Sequence, residues 1–210
     1  MSCVDFKINR TDFFEIDKEE YSNKLEGFWL GQSIANWTGL ITEMDKIGNI
    51  GEIKTGNFYT RENWSKKDEP NIWSPNNKYE TIDFVLRNKN EIWGSDDDTD
   101  IEYMYQELLF QSNETVLSPK DIRDGWLKHM KIEEENFLWV SNQKAFDLMN
   151  QGFLPPETSN PKFNEHFDMI DAQLTTEIFG LLSPTNYKYA LKMSNLPVRT
   201  TSRGDAALIS

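Results

Sequence analysis

Beyond residue 96 the apolar side chains recur at helical intervals almost without a break, and this rhythm constrains the fold more than any other feature. Ile101, Met104, Tyr105, Leu108 and Leu109 fall on one stripe of a helix over 98–112. Ser118-Pro119-Lys120-Asp121 then offers an N-cap, a proline at the first helical position and an acidic third residue, close to a capping box. The helix it opens carries Ile122, Trp126, Leu127 and Met130. A further helix is predicted over 133–150, stopped by Gly152 and Pro155-Pro156, and two more over 167–182 and 185–195. Upstream, Asp17 caps a helix with Glu19 and Glu20 in its first turn, carrying Tyr21, Leu25 and Phe28 to about residue 34. Strand-like alternation is scarce, and neither a βαβ rhythm nor a solenoid repeat is present. The expected fold is all-α.

Residues 48–90 read differently. Gly48, Gly51, Gly56, Pro70 and Pro75 interrupt every period, leaving a long polar loop or insertion with a few aromatic anchors. The remainder fits one domain over 1–210, since 38% hydrophobic residues with 7 Trp, 13 Phe and 7 Tyr supply a sizeable core. Charge narrows the partners: 22 Lys+Arg against 35 Asp+Glu, a formal net of −13, repels a nucleic-acid backbone. A nucleotide-like ligand can still bind where divalent cations stand between carboxylates and phosphates. Cys3 is the only cysteine, so neither a disulfide framework nor a thiolate metal cluster is expected. Charged residues interrupt the N-terminus, and 27–41 is too short and too polar to span a bilayer. The expectation is a soluble, cytoplasmic protein with no membrane partner.

Two local features carry chemistry. Gly27, Gly31, Ala35 and Gly39 stand four apart on one helical face, at a propensity cost of about 1 kcal/mol per glycine. Close helix packing or a ligand near the backbone is expected to offset that cost, and Glu43 emerges where the stripe ends. The second feature is Asp96, Asp97, Asp98, Asp100 and Glu102, five carboxylates within seven residues. Acids favour a helix N-terminus, but one or two suffice there, and mutual repulsion of five calls for a cation. Oxygen-only donors suit hard ions such as Mg²⁺, Ca²⁺ or Mn²⁺. Asp96, Asp98 and Asp100 mimic the start of an EF-hand loop, yet Ile101 stands where that loop needs glycine. P-loop, zinc-helix, dinucleotide-binding and nucleophile-elbow patterns are absent, and His129 and His166 are isolated.

Together the two features resemble the signatures of the ADP-ribosylglycohydrolases. Gly27-Phe28-Trp29-Leu30-Gly31-Gln32-Ser33-Ile34-Ala35-Asn36-Trp37-Thr38-Gly39, continuing to Glu43, is similar to that family's first signature, GxxxGxAxGDAxGxxxE. Asp96-Asp97-Asp98-Thr99, opening a helix, resembles the second, a Thr/Ser-Asp-Asp-Thr run. Asp121-Ile122-Arg123-Asp124-Gly125-Trp126 looks like the family's bacterial members. So does Ile170-Asp171-Ala172-Gln173-Leu174, running on to Ser183-Pro184-Thr185-Asn186 and Ser202-Arg203-Gly204-Asp205. The resemblance covers about residues 20–210.

It implies a compact orthogonal helical domain around a dinuclear Mg²⁺ or Mn²⁺ centre that cleaves the glycosidic bond of ADP-ribose. The substrate would be an ADP-ribosylated protein or a small-molecule ADP-ribose conjugate. Asp97 and Asp98 would be metal ligands, or Asp96 and Asp97 in an alternative register, and Glu43 a ligand or catalytic base. Asn36 replaces the signature's aspartate, which leaves it a hydrogen-bonding, substrate-side role. The family completes its site with a C-terminal Asp-x-Asp segment, and nothing after Gly152 resembles it. The domain is therefore expected to be incomplete at the C-terminus. The alternatives are a catalytically inactive module that binds metal or ADP-ribose, and a hydrolase of another nucleoside or sugar linkage.

Overall fold

The computed structural model describes residues 15–42, 49–50, 53–54, 66, 96–131 and 138–210. Among them the chain is helical: α1 (Lys18–Thr42), α2 (Asp97–Ser112), α3 (Pro119–His129), α4 (Val140–Asn150), α5 (Asp171–Leu174), α6 (Glu177–Leu181), α7 (Tyr187–Thr201) and α8 (Asp205–Ile209), with a 3₁₀ turn at Glu157–Ser159. The exception is a minimal antiparallel ribbon, β1 (Asn49–Ile50) with β2 (Ile53–Lys54), within the stretch expected to be a loop. No helix among the described residues is long and apolar enough to cross a membrane.

The local signals act where expected. Asp17 Oδ1 accepts the Glu20 amide at 2.8 Å. Ser118 and Asp121 complete a reciprocal capping box, at 3.2 and 2.9 Å, and these bonds hold the Asp121 carboxyl below its usual range. Gly152, at φ +96°, ends α4 in a Schellman motif, with Phe153 N donating to Leu148 O and Gly152 N to Met149 O. Thr99 to Ser112 is continuous helix, which excludes an EF-hand loop.

Four boundaries differ from expectation, the first being α1, which runs to Thr42 past the expected 34. Leu138 and Trp139 are not helical and α4 begins at Val140, with the Trp139 amide turned to the Asp97 carboxylate, while 133–137 of the expected helix lie outside the described residues. The helix predicted over 167–182 divides into α5 and α6, parted at Thr175 and Thr176. The α7 helix runs through Pro197 to Thr201, beyond the predicted 195. Its orphan end carbonyls are taken by buried hydroxyls: Thr158 Oγ1 donates to Thr200 O at 2.6 Å, and Ser159 Oγ to Arg199 O at 2.8 Å.

The core lies between α2, α3, α4, α6 and α7. Trp126 and Tyr105 are its largest fully buried side chains, and Trp126 Nε1 donates to Tyr105 Oη at 3.2 Å. Burial pushes the Tyr105 phenol up to about 12. Gly125 brings α3 against α2, for a Cβ there would clash with the Leu108 side chain. Gly125→Ala should therefore lower the urea midpoint by the equivalent of about 1–3 kcal/mol, despite the better helix propensity of alanine.

The α1 helix lies antiparallel along α2, joined by side chains: Trp29 Nε1 donates to Gln106 Oε1 at 3.0 Å, and Gln32 Nε2 to Glu102 Oε2 at 2.8 Å. Tyr21 Oη adds a bond to Leu181 O at 2.6 Å. Of the small-residue stripe, the surroundings of Gly39 lie outside the described residues. Gly27, Gly31 and Ala35 are exposed, and among the described residues nothing lies within 4 Å of a Cβ at either glycine. Trp29 and Gln32 make the approach to α2, through an indole and an amide that reach partners glycine cannot.

Candidate metal centre

The acidic run does two jobs. Asp96 is the N-cap of α2, its extended backbone bringing Oδ1 to 3.4 Å from the Thr99 amide. That bend, followed by the first helical turn, places one carboxylate oxygen from each of Asp96, Asp97 and Asp98 within 4.8 Å of one another. Oxygens opposite each other across a hard divalent cation stand about 4–5 Å apart, so the three could share one.

The surroundings are built to hold the trio. Asp97 is buried, and its Oδ2 accepts from Trp139 N at 2.6 Å and Asn142 Nδ2 at 2.7 Å. The Asn142 amide N in turn donates to Asp171 Oδ1 at 3.2 Å, so the start of α4 bridges the α2 cluster to α5. Asp171 is 3% exposed, and its Oδ2 has no hydrogen-bond partner among the described residues. Thr99 Oγ1 and Asn142 Oδ1 are buried and unpartnered in the same sense. Unmatched acceptors next to carboxylates fit a bound cation or its water shell, because burying them unpaired costs about 1–3 kcal/mol each.

Electrostatics agree with the geometry. Desolvation, followed by repulsion from Asp96, Asp97, Asp171 and Glu177, lifts the Asp98 carboxyl to about 8. Burial also raises Asp97, against the bonds from Asn142 and Trp139, and raises Asp96, against those from Thr99 and Asn36. One turn along α2, Glu102 is fully buried, and desolvation brings its carboxyl to about 7. Its Oε1 accepts the Ile178 amide at 2.8 Å, and the Glu177 carboxyl hydrogen-bonds to it.

The Asn36 amide is among the groups that hold the Asp96 carboxyl down, and Asn36 Oδ1 is buried without a partner among the described residues. With Gln32 bonded to Glu102, the α1 helix and the acidic run therefore meet. No family profile, curated protein or solved structure matches the chain. Glu43, the expected catalytic residue and further ligand, lies outside the described residues.

Asn142, Asp171 and Gln32 were not singled out from sequence as site residues, and Glu102 was counted in the acidic run without the contacts it makes to α1 and α6. Asn142 and Gln32 are ordinary helical amides by position, and only tertiary packing gives them a role. Asp171 stands within a stretch that resembles the family, but no spacing tied it to the run at 96–98. His129 Nε2 is buried without a partner among the described residues, and burial lowers its pKa. His166 stands 3.9 Å from Glu165, so neither histidine joins the cluster.

Proposed function

We propose that the chain carries the metal-holding part of a hydrolase that cleaves ADP-ribosyl glycosidic bonds in a protein or small-molecule conjugate. One observation carries this reading: carboxylate oxygens of Asp96, Asp97 and Asp98, in the stretch resembling the second family signature, converge to within 4.8 Å of one another. It is supported by the placement of Gln32, from the stretch resembling the first, whose Nε2 donates to Glu102 Oε2 one turn further along α2. The converged oxygens of Asp96, Asp97 and Asp98 would hold Mg²⁺ or Mn²⁺, with the unpartnered Asp171 oxygen facing the same negative region. The cation would supply Lewis-acid polarisation and a water of lowered pKa. The protein's own part is to orient those oxygens. Trp139 N and Asn142 Nδ2 fix Asp97, the Thr99 amide and Asn36 fix Asp96, and Asp98 keeps a proton until a cation displaces it. Glu43 is assigned proton management on the resemblance alone.

The amide at position 36 favours a second reading, a binding module that holds metal or ADP-ribose without turnover. Mn²⁺ titration followed by electron paramagnetic resonance, with assay of ADP-ribose release from ADP-ribosylated arginine, separates the two. Saturable Mn²⁺ uptake with chelator-sensitive release is expected. Bound Mn²⁺ without release leaves the binding module, and absence of saturable uptake ends the metal reading.

A further inference from the structure

The seam between α1 and α2 is a ladder with two hydrogen-bonded rungs. Trp29 meets Gln106 and Gln32 meets Glu102, numbers rising on one helix as they fall on the other, and the same register brings Asn36 beside Asp96, whose carboxyl its amide helps to hold down. Apolar packing anchors α1 to the core through Phe28 and Trp29, while residues 30, 31, 34 and 35 on the following turn are exposed. Between that anchor and Asn36, the bond from Gln32 to Glu102 ties α1 to α2. A slip of one helical turn would move Asn36 by about 5.4 Å, beyond the reach of Asp96. Glu102 is suited to prevent it. The carboxyl is fully buried, one oxygen fixed by the α6 amide of Ile178 and the other facing Gln32.

We propose that Glu102 is a positioning residue, which sets the register of α1 on α2 through Gln32 and so holds Asn36 against Asp96. This rests on the metal reading only for its consequence, that the cation affinity of the aspartate trio depends on a carboxyl that is not itself among the three. The chemistry of the rung predicts which substitutions it tolerates. Glu102→Gln keeps an acceptor for Ile178 and can still pair with Gln32 if that amide turns, since Gln32 Oε1 is buried without a partner among the described residues. Glu102→Ala and Gln32→Ala break the rung. The exchange Gln32→Glu with Glu102→Gln rebuilds it with donor and acceptor reversed.

The test uses the full chain, with the Asn36 side-chain amide resonances and Mn²⁺ affinity as readouts. In Glu102→Ala and Gln32→Ala the Asn36 signals are expected to move to free-amide positions, and Mn²⁺ affinity to fall about tenfold. Combining the two should add little, and the exchange variant should restore both readouts. Gln32→Ala keeps the test decisive if Glu102→Ala does not fold. Asn36 signals unmoved by Gln32→Ala, or an exchange variant no better than the single changes, would overturn the proposal. If the signals follow the ladder while the unmodified protein takes up no Mn²⁺, the positioning role stands and the cation reading falls.

Discussion

In the absence of divalent cations, raising the pH from about 5 to about 8 should lower the thermal midpoint by about 5–10 °C, and Mn²⁺ at the higher pH should restore it. The cause is the raised carboxyls. Asp98 titrates near 8 in the folded chain against an ordinary 3.8, and Glu102 near 7 against 4.5. Above the ordinary values the folded state holds protons that the unfolded chain has released. This contribution is complete below about 4 and is lost as the pH climbs through 7 and 8. Asp96 and Asp97 shift in the same direction. Each pKa unit corresponds to about 1.4 kcal/mol, but the groups share one cluster, so a total of a few kcal/mol is expected in place of a sum. Asp98→Asn removes the most perturbed charge at nearly constant volume. It should flatten the pH profile, raise the cation-free midpoint at pH 8 and weaken the rescue by Mn²⁺. A flat profile for the unmodified protein, measured by calorimetry with chelator present, would show that the cluster stores no such repulsion.

The helical rhythm after residue 96 was legible because periodicity and capping are local. Ser118 with Asp121, Asp17 with Glu20 and Gly152 after α4 depend on residues within one turn of each other. Boundaries failed where a distant group intervened. Trp139 gives its amide to Asp97, 42 residues away, in place of an earlier turn of α4, and Ile178 gives its amide at the start of α6 to Glu102. The glycine stripe has helical spacing, but spacing alone does not say which face meets α2, and the hydrogen bonds of that seam come from Trp29 and Gln32 on the neighbouring face. At the site, the density of Asp96, Asp97 and Asp98 was visible at once. Asn142 and Asp171 carry no local mark, since an amide and an acid in or beside a helix are ordinary residues until α4 and α5 are packed against α2.

Asn142 is therefore the position where a change of one atom should do most damage. Its side chain is fully buried, with Nδ2 donating to Asp97 and its own backbone amide tied to Asp171. Asn142→Asp preserves shape but replaces the donor with a third carboxyl between two others. At pH 8 this should cost about 3–5 kcal/mol, the range for an uncompensated buried charge, read as a lower urea midpoint. At pH 5 much of the loss should return, because the introduced carboxyl, once protonated, can donate to Asp97 as the amide did. Asn142→Ala supplies the contrast. It adds no charge, so its cost of about 1–3 kcal/mol for the lost buried bond should vary less with pH. Mn²⁺ distinguishes them further. An added carboxylate attracts a cation and a methyl does not, so Mn²⁺ should recover more stability in Asn142→Asp than in Asn142→Ala. Equal losses for the two variants at both pH values would mean that Asn142 only fills space, and that the bridge from Asp97 to Asp171 does not govern the charge of the cluster.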